Sequence, residues 1–389
     1  MDLYLFNPEN DLCLAHGGED YMPPPSARKI ARDLAALPLW YGGDDSVVLL
    51  PDDFSIEESS PFFGFQNIES RCVYEDSLSS VKVKNITNII PWGWSAAVEK
   101  RLRRLGIQPA ILPDKEWIKC LRELSSRRFS VELLQALAAD GFEIGRGMPE
   151  LLQTPAEVRR FVEQHPQTIL KAPWSGSGKG LWRCMGNYNL TVERWSNGIL
   201  KRQQLIVGER FVDKKIDFAM QFYSDGAGEA RFAGYSLFTT DDKGAYKGNF
   251  LAPDHIIEEK ITEYCQREKL HSLRDWLIRY FSVHVAPYYK GYFGVDMLCF
   301  RNGNGGYDLH PCVEVNLRMT MGMVARLFYD RHITAGKQGF YQIDYHETSG
   351  TLLANHNENT KNPNYLSLTP VNRDTRYQAY AIISFPKTR

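Results

Sequence analysis

The chain has 389 residues, 43% hydrophobic, 12% aromatic and 24% charged, and its 46 basic and 47 acidic residues leave a formal net charge of −1. That much apolar and aromatic material excludes a disordered chain, and the near-neutral balance argues against nucleic acid or an anionic membrane as the main partner. No apolar run approaches the roughly 18–20 residues that cross a bilayer, and MDLYLFNPEND lacks the pattern of a signal peptide, so neither membrane nor export is expected.

Length alone suggests two or three folding units. Leu3 to Phe6 alternates as a strand does and enters the loop Asn7 to Asp11. Pro23 to Pro25 precede a helical pattern that starts near Ser26 and carries Ile30, Leu34 and Leu37. Val47 to Leu50 and Ile86 to Ile90 read as buried strands, and Ser95 caps a helix through Leu105 that Gly106 stops. Strands alternating with helices over residues 1–115 predict an α/β domain with a short parallel sheet. The next unit, 116–200, is more helical. Ser130 is expected to cap a helix over 131–139, Thr154-Pro155-Ala156-Glu157 opens a helix to Gln164, and Gln167 to Ala172 is a strand. Residues 201–345 hold predicted strands at 204–207, 216–223, 230–239, 293–300 and 309–316, interrupted by a helical stretch from Pro253 through Ser282 in one or two pieces. Residues 346–389, rich in Asn, Thr and Pro, read as a tail with one apolar strand at Ala379 to Phe385.

Cys13, Cys72, Cys120, Cys184, Cys265, Cys299 and Cys312 are scattered and form no CxxC pair, which fits reduced thiols in a cytoplasmic protein. Charge is placed unevenly. Residues 1–60 contain twelve acids and three bases, whereas 99–128 contain nine bases and four acids. Two solvated faces explain this, and so does a basic helix near an anionic ligand.

Four features carry candidate chemistry. Lys171 ends a strand and is followed by Ser175-Gly176-Ser177-Gly178-Lys179-Gly180, where glycines let backbone N–H groups approach a phosphate and lysines supply charge. The spacing is not that of a P-loop, and a flexible surface turn is the plain alternative. Asp296 lies on one apolar strand. Glu314, Asn316 and Arg318 alternate on another, with the hairpin Asn302 to Gly306 between the two strands. Residues two apart share a face, so two carboxylates and an amide oxygen form a hard-oxygen set suited to Mg²⁺, with Arg318 placed to stabilise an anion. Glu209, Phe211 and Asp217 follow the strand at 206, where backbone groups and a carboxylate suit a nucleoside. Last, Arg127-Arg128 stands before a helix, a place from which a cation reaches a phosphate. Arg231, Lys247, Asn249, Glu9, Asp11 and Arg28 are weaker substrate-side candidates on polar loops.

In order and spacing, these four features resemble the ATP-grasp superfamily of ATP-dependent carboxylate–amine and carboxylate–thiol ligases, over about residues 120–325. The resemblance implies an α+β ATP-grasp fold: a two-lobed unit, 116–200 and 201–345, behind the N-terminal domain. It implies Arg128 in the place of the first phosphate-binding lysine, Lys171 as the second, and 175–180 as the flap. Glu209 and Asp217 match the adenine and ribose pair, Asp296, Glu314 and Asn316 match the magnesium ligands, and Arg318 matches an arginine at the reacting carboxylate. EVNLRMTMG is the most specific piece. The implied reaction makes an acyl phosphate from ATP and a carboxylate, then joins it to an amine such as an amino acid or peptide. ATP and Mg²⁺, or Mn²⁺ in its place, are the implied cofactors, the partners are small molecules, and a homodimer is compatible. An ATP-binding regulatory protein without turnover and a small-molecule kinase are the competing readings.

Overall fold

The protein is described by a computed structural model over residues 1–54, 71–78, 85–176, 180–241, 244–348 and 350–384. The first sheet contains β1 (Asp2–Leu5), β2 (Ser46–Leu50), β3 (Cys72–Tyr74) and β4 (Asn88–Pro91), all parallel and ordered β3-β2-β1-β4. Every residue of β2 is buried, as a central parallel strand covered on both faces requires. Helices α1 (Asn10–His16) and α2 (Pro25–Asp33) follow β1, and α3 (Ala96–Arg104) follows β4. The predicted caps of α3 are present: the Ser95 hydroxyl accepts from the Val98 N–H, and Gly106 turns the chain at φ +87°.

Two helices, α4 (Lys115–Leu124) and α5 (Arg127–Ala139), lead to the second sheet. Here the sequence expectation is corrected. Ser126 is the N-cap of α5, four residues before the expected Ser130, whose hydroxyl lies inside the helix and accepts from the Val315 N–H at 3.0 Å. The second sheet is small and antiparallel: β5 (Glu150–Leu152), β6 (Gln167–Lys171), β7 (Leu181–Met185) and β8 (Ile206–Arg210), ordered β5-β8-β6-β7. Against it pack α6 (Pro155–Gln164), opened by a complete Thr154/Glu157 capping box, and α7 (Leu190–Gln203). Phe161, Val162, Leu170 and Ile206 fill the space between.

The third sheet has eight antiparallel strands: β9 (Lys214–Asp225), β10 (Ala230–Thr240), β11 (Tyr246–Leu251), β12 (Lys290–Arg301), β13 (Tyr307–Asn316), β14 (Gln338–Tyr345), β15 (Tyr365–Ser367) and β16 (Tyr377–Ser384). The helical stretch after Pro253 is two helices, α8 (Asp254–Thr262) and α9 (Arg267–His284), and their apolar faces bury Leu270, Leu277 and Phe281 against Phe222 and Phe293. α10 (Met321–His332) lies behind the sheet, and α11 (Thr351–Asn359) precedes β15.

Residues 346–384 are not the tail that their composition suggests. β16 pairs with β14 along its full length, and Ala379, Ala381 and Ile383 join a core that also contains Phe6, Trp40, Val48 and Phe328. The expectation failed because the Asn- and Thr-rich stretch between strands forms turns and side-chain caps while the apolar strand itself is short.

Candidate active site

β12 and β13 bring the predicted hard-oxygen groups together. In register, Asp296 faces Glu314 and Gly294 faces Asn316. Just beyond, the register shifts because residues 311–313 stand opposite Met297. Pro311 cannot donate to the ladder, which is the local cause of that bulge. Asp296 is half-buried, accepts from the Asn316 amide at 3.1 Å, and desolvation together with Glu314 pushes its carboxyl up to about 7. Glu314 accepts from Arg127 Nη2 at 2.8 Å. Arg127 Nη1 donates to the Ala172 carbonyl at 2.6 Å and to Ser175 Oγ at 2.8 Å, so one buried guanidinium joins α5, the end of β6 and β13.

The resemblance assigns the phosphate-side position to Arg128, while the guanidinium that joins Glu314, Ala172 and Ser175 is that of Arg127. Arg128 is half-buried one step round the helix, where its backbone N–H donates to Ser126 Oγ. A shift of one residue turns a helical side chain by about 100°, so the two neighbours cannot share a role.

Arg318 follows β13 and donates through Nε and Nη2 to both carboxylate oxygens of Asp11 on α1, at 2.8 and 2.7 Å, and through Nη2 to Asn316 Oδ1 at 3.0 Å. Burial works against its charge, but Asp11, Glu314 and Asp296 outweigh it and hold the guanidinium above its ordinary value. A Cβ on Gly176 would stand 3.2 Å from Asp11 Oδ2, so the start of the glycine-rich turn closes directly on this pair.

Across the small sheet, Lys171 Nζ lies 2.8 Å from Glu209, which also pairs with Arg146. All three are buried. Burial, then Arg146 and Arg127, push the Lys171 ammonium well below its ordinary value, and burial pushes Arg146 down to about 9. Nothing in the sequence pointed to Arg146, a lone base in a Gly-rich loop before β5. His310 on β13 is fully buried beside this group, and neither ring nitrogen has a partner among the described residues. Burial, Arg146 and Lys171 push its imidazole well below the ordinary value.

The remaining predicted residues are placed as follows. Phe211 lies in the crossing from β8 to β9 and donates its N–H to the Gln167 carbonyl at 2.9 Å. Asp217 on β9 accepts from Lys214 and Thr240, is raised by burial, and lies near enough to Asp296 to raise it further. Ser177, Gly178 and Lys179 lie outside the described residues. Of the weaker candidates, Asn249 is a buried structural group that bonds Tyr246, Ser236 and the Leu237 carbonyl. Arg231 stacks on Tyr223, 4.8 Å from the ring centroid.

Among the described residues, no group of three His, Cys, Asp or Glu side chains is arranged to hold a metal ion. The set here is two carboxylates and an amide oxygen, which is donor chemistry of the kind a hard divalent cation takes. Ligation by Asn316 requires its Oδ1 to turn away from Arg318.

No family profile and no curated protein matches the sequence. Among solved structures, the chain is similar to N5-carboxyaminoimidazole synthetase from Staphylococcus aureus complexed with ADP (TM-score 0.52, 12% identity, 100% of this chain and 93% of that one). It is similar to biotin carboxylase from Campylobacter jejuni in its β,γ-ATP complex (TM-score 0.53, 11% identity, 98% and 87%). A third is the biotin carboxylase domain dimer of Hydrogenobacter thermophilus 2-oxoglutarate carboxylase with MgADP, ADP and bicarbonate (TM-score 0.55, 11% identity, 98% and 86%). The fold is that of the ATP-grasp enzymes, over nearly the whole chain.

Proposed function

We propose, with that fold as premise, that the protein is an ATP-dependent ligase joining a small carboxylate to an amine. One observation carries the reading. Asp296, Glu314 and Asn316 meet on paired strands, Arg318 stands beside them, and Arg127 ties Glu314 to Ser175 at the start of the glycine-rich turn. Metal-ligand chemistry, an anion-orienting arginine and a phosphate-side turn thus converge on one place.

In the proposed reaction, an oxygen of the substrate carboxylate attacks the γ-phosphorus of ATP. The bond from that phosphorus to the β–γ bridging oxygen breaks, and ADP leaves. The amine lone pair then attacks the acyl carbon, the carbon–oxygen bond to phosphate breaks, and the nitrogen gives up a proton. Arg127 and Lys171 place positive charge beside the transferred phosphate, and Arg318 orients the carboxylate. Mg²⁺, held by Asp296, Glu314 and Asn316, would offset phosphate charge when bound. The glycine-rich turn limits water at an acyl phosphate that hydrolysis would destroy.

One feature favours the alternative of an ATP-binding protein without turnover: one edge of the Arg318 guanidinium is already held by both carboxylate oxygens of Asp11. ADP release with Mg-ATP, assayed with carboxylates and amines separately and in pairs, decides between them. Dependence on both partners supports ligation. ADP binding with no release under any pairing supports the regulatory reading, and dependence on one alcohol supports a kinase. Failure to bind ATP and ADP at millimolar Mg²⁺ overturns the assignment. Within the ligase reading, Glu314→Gln is expected to lower turnover about 100-fold with the fold retained by circular dichroism; unchanged turnover removes the metal-site claim.

A further inference from the structure

The parallel sheet reverses its order at β1. The chain runs from β1 to β2 and β3 on one side, then returns to β4 on the other. Open parallel sheets hold ligands beyond the carboxyl ends of the strands at such a reversal. A cavity of about 880 Å³ lies there, within the range that takes a metabolite-sized molecule. Its floor includes Leu5 and Phe6 at the end of β1 and Leu49 at the end of β2, and its walls come from α2 and α3.

Three charged groups in that cavity are without a direct ion pair among the described residues, although Arg104 still acts on Asp20. Glu9, just before α1, has a buried Oε2 with no hydrogen bond among the described residues. Arg101, the cation that acts on it electrostatically, is paired with Glu75. A buried carboxylate oxygen left unbonded is costly, and an N–H donor from a ligand would satisfy it. Arg28 on α2 and Arg104 on α3 line the same cavity and form no ion pair among the described residues. The other wall cations are matched: Lys29 with Asp33, Arg32 with Asp53, and Lys100 with Glu19 and Asp20. The uncommitted set is therefore one inner carboxylate and two outer guanidiniums.

We propose that this cavity binds the amine substrate, and that this substrate is a small amine carrying an acidic group, carboxylate or phosphate. Its nitrogen donates to Glu9 and its acidic group pairs with Arg28 and Arg104. The inference rests on the ligase reading above and names its second substrate class. Glu9 and Asp11 are two positions apart at the start of α1, about 200° round the helix, so Glu9 faces this cavity while Asp11 faces Arg318. α1 is the shared wall. The bound amine reaches a carboxylate at Arg318 only when α1 moves aside.

The test is calorimetric titration of the full chain without nucleotide. The probes are glycine, L-glutamate, O-phosphoethanolamine and glucosamine 6-phosphate, with acetate, inorganic phosphate and ethanolamine as controls that lack the amine or the acid. The expected result is that at least one amino acid or phospho-amine binds, about tenfold or more tighter than its truncated controls. Which of the two classes binds identifies the acidic group. Glu9→Gln, Arg28→Ala and Arg104→Ala each weaken that binding about tenfold or more, while MgADP affinity is unchanged. Arg28 and Arg104 are exposed, so their variants fold even if Glu9→Gln does not. No binding by any probe up to about 10 mM, or equal binding by the arginine variants, overturns the proposal. Loss of the ligase reading is separable: a wild-type chain that binds a probe but not MgADP keeps the cavity and removes ATP.

Discussion

Arg127 and Arg128 are adjacent cations in opposite surroundings, and the difference makes their roles separable. Arg127 bonds Ala172, Ser175 and Glu314 from a buried position, whereas Arg128 is half-buried and its side chain has no such set among the described residues. Lysine cannot reproduce a three-way guanidinium fork. Arg127→Lys is therefore expected to lower ADP release at least about tenfold, while Arg128→Lys changes it less than about twofold. Equal losses would return the role to Arg128. Sequence placed a cation in this neighbourhood, but two successive arginines before a helix give no sign of which one the first turn rotates inward, and it is Arg127 that is buried. Arg146 and Asp11 were less legible still. Their partners, Glu209 and Arg318, are distant in sequence, and only packing brings them together. Asp11→Ala leaves the part-buried Arg318 guanidinium without its bidentate partner and should cost about 1–3 kcal/mol of stability by urea unfolding. His310 gives a pH signature. Its folded-state value is depressed, so the unfolded chain takes up a proton near the ordinary value of 6.5 that the folded protein refuses. The stability tied to its neutral ring is present above that value and declines as pH falls below it, by up to ~1.4 kcal/mol per unit. His310→Leu should flatten the fall in urea midpoint between about pH 7 and pH 5; an unchanged slope assigns the effect to His332 and His356, which burial also depresses.

The elements divide into those with clear periodicity and those built on close backbone approach. Strands β9, β10, β12 and β13 and the opening of α6 follow from alternation and caps in the sequence, whereas it leaves the break between α8 and α9 open. β11 and β14 do not. Each carries a glycine in its interior, a residue that weakens a strand reading. In place, those glycines are what the pairing needs. A Cβ on Gly248 would fall on the Tyr341 carbonyl oxygen of the neighbouring strand, and one on Gly339 would fall on that of Ile382. Backbone cannot swing away as a side chain can, so Gly248→Ala is expected to cost about 2–4 kcal/mol. Gly303→Ala, in the β12–β13 hairpin with nothing within 4 Å of the added carbon, should stay within ~0.5 kcal/mol. Similar urea midpoints for the two would show that β11 and β14 separate without penalty.

At the scale of the molecule, the first and last parts of the chain share a core. Phe6, Trp40, Val48 and Trp92 pack with Phe328, Tyr341, Ala381 and Ile383. The Trp40 indole donates to the Leu368 carbonyl at 2.6 Å, and Asp33 accepts from the N–H groups of Arg376 and Tyr377 at 2.8 and 3.1 Å. A chain ended after Tyr345 would lose β15 and β16, expose the β14 edge and uncover apolar groups from the first fifty residues. It is expected to be insoluble, or to unfold without a cooperative transition; a soluble product with an unchanged melting curve would restore the tail reading.

The shared core also sets an order of events during synthesis. Proteins emerge from the ribosome N-terminus first, at roughly 5–20 residues per second. Phe6, Trp40 and Val48 leave the tunnel long before Tyr377–Ser384, the strand that helps to cover them. Until that strand has emerged, this face lacks part of its permanent cover. The N-terminal domain therefore cannot finish folding as an independent unit, and a stalled or prematurely terminated chain presents the apolar surface that chaperones and proteases recognise.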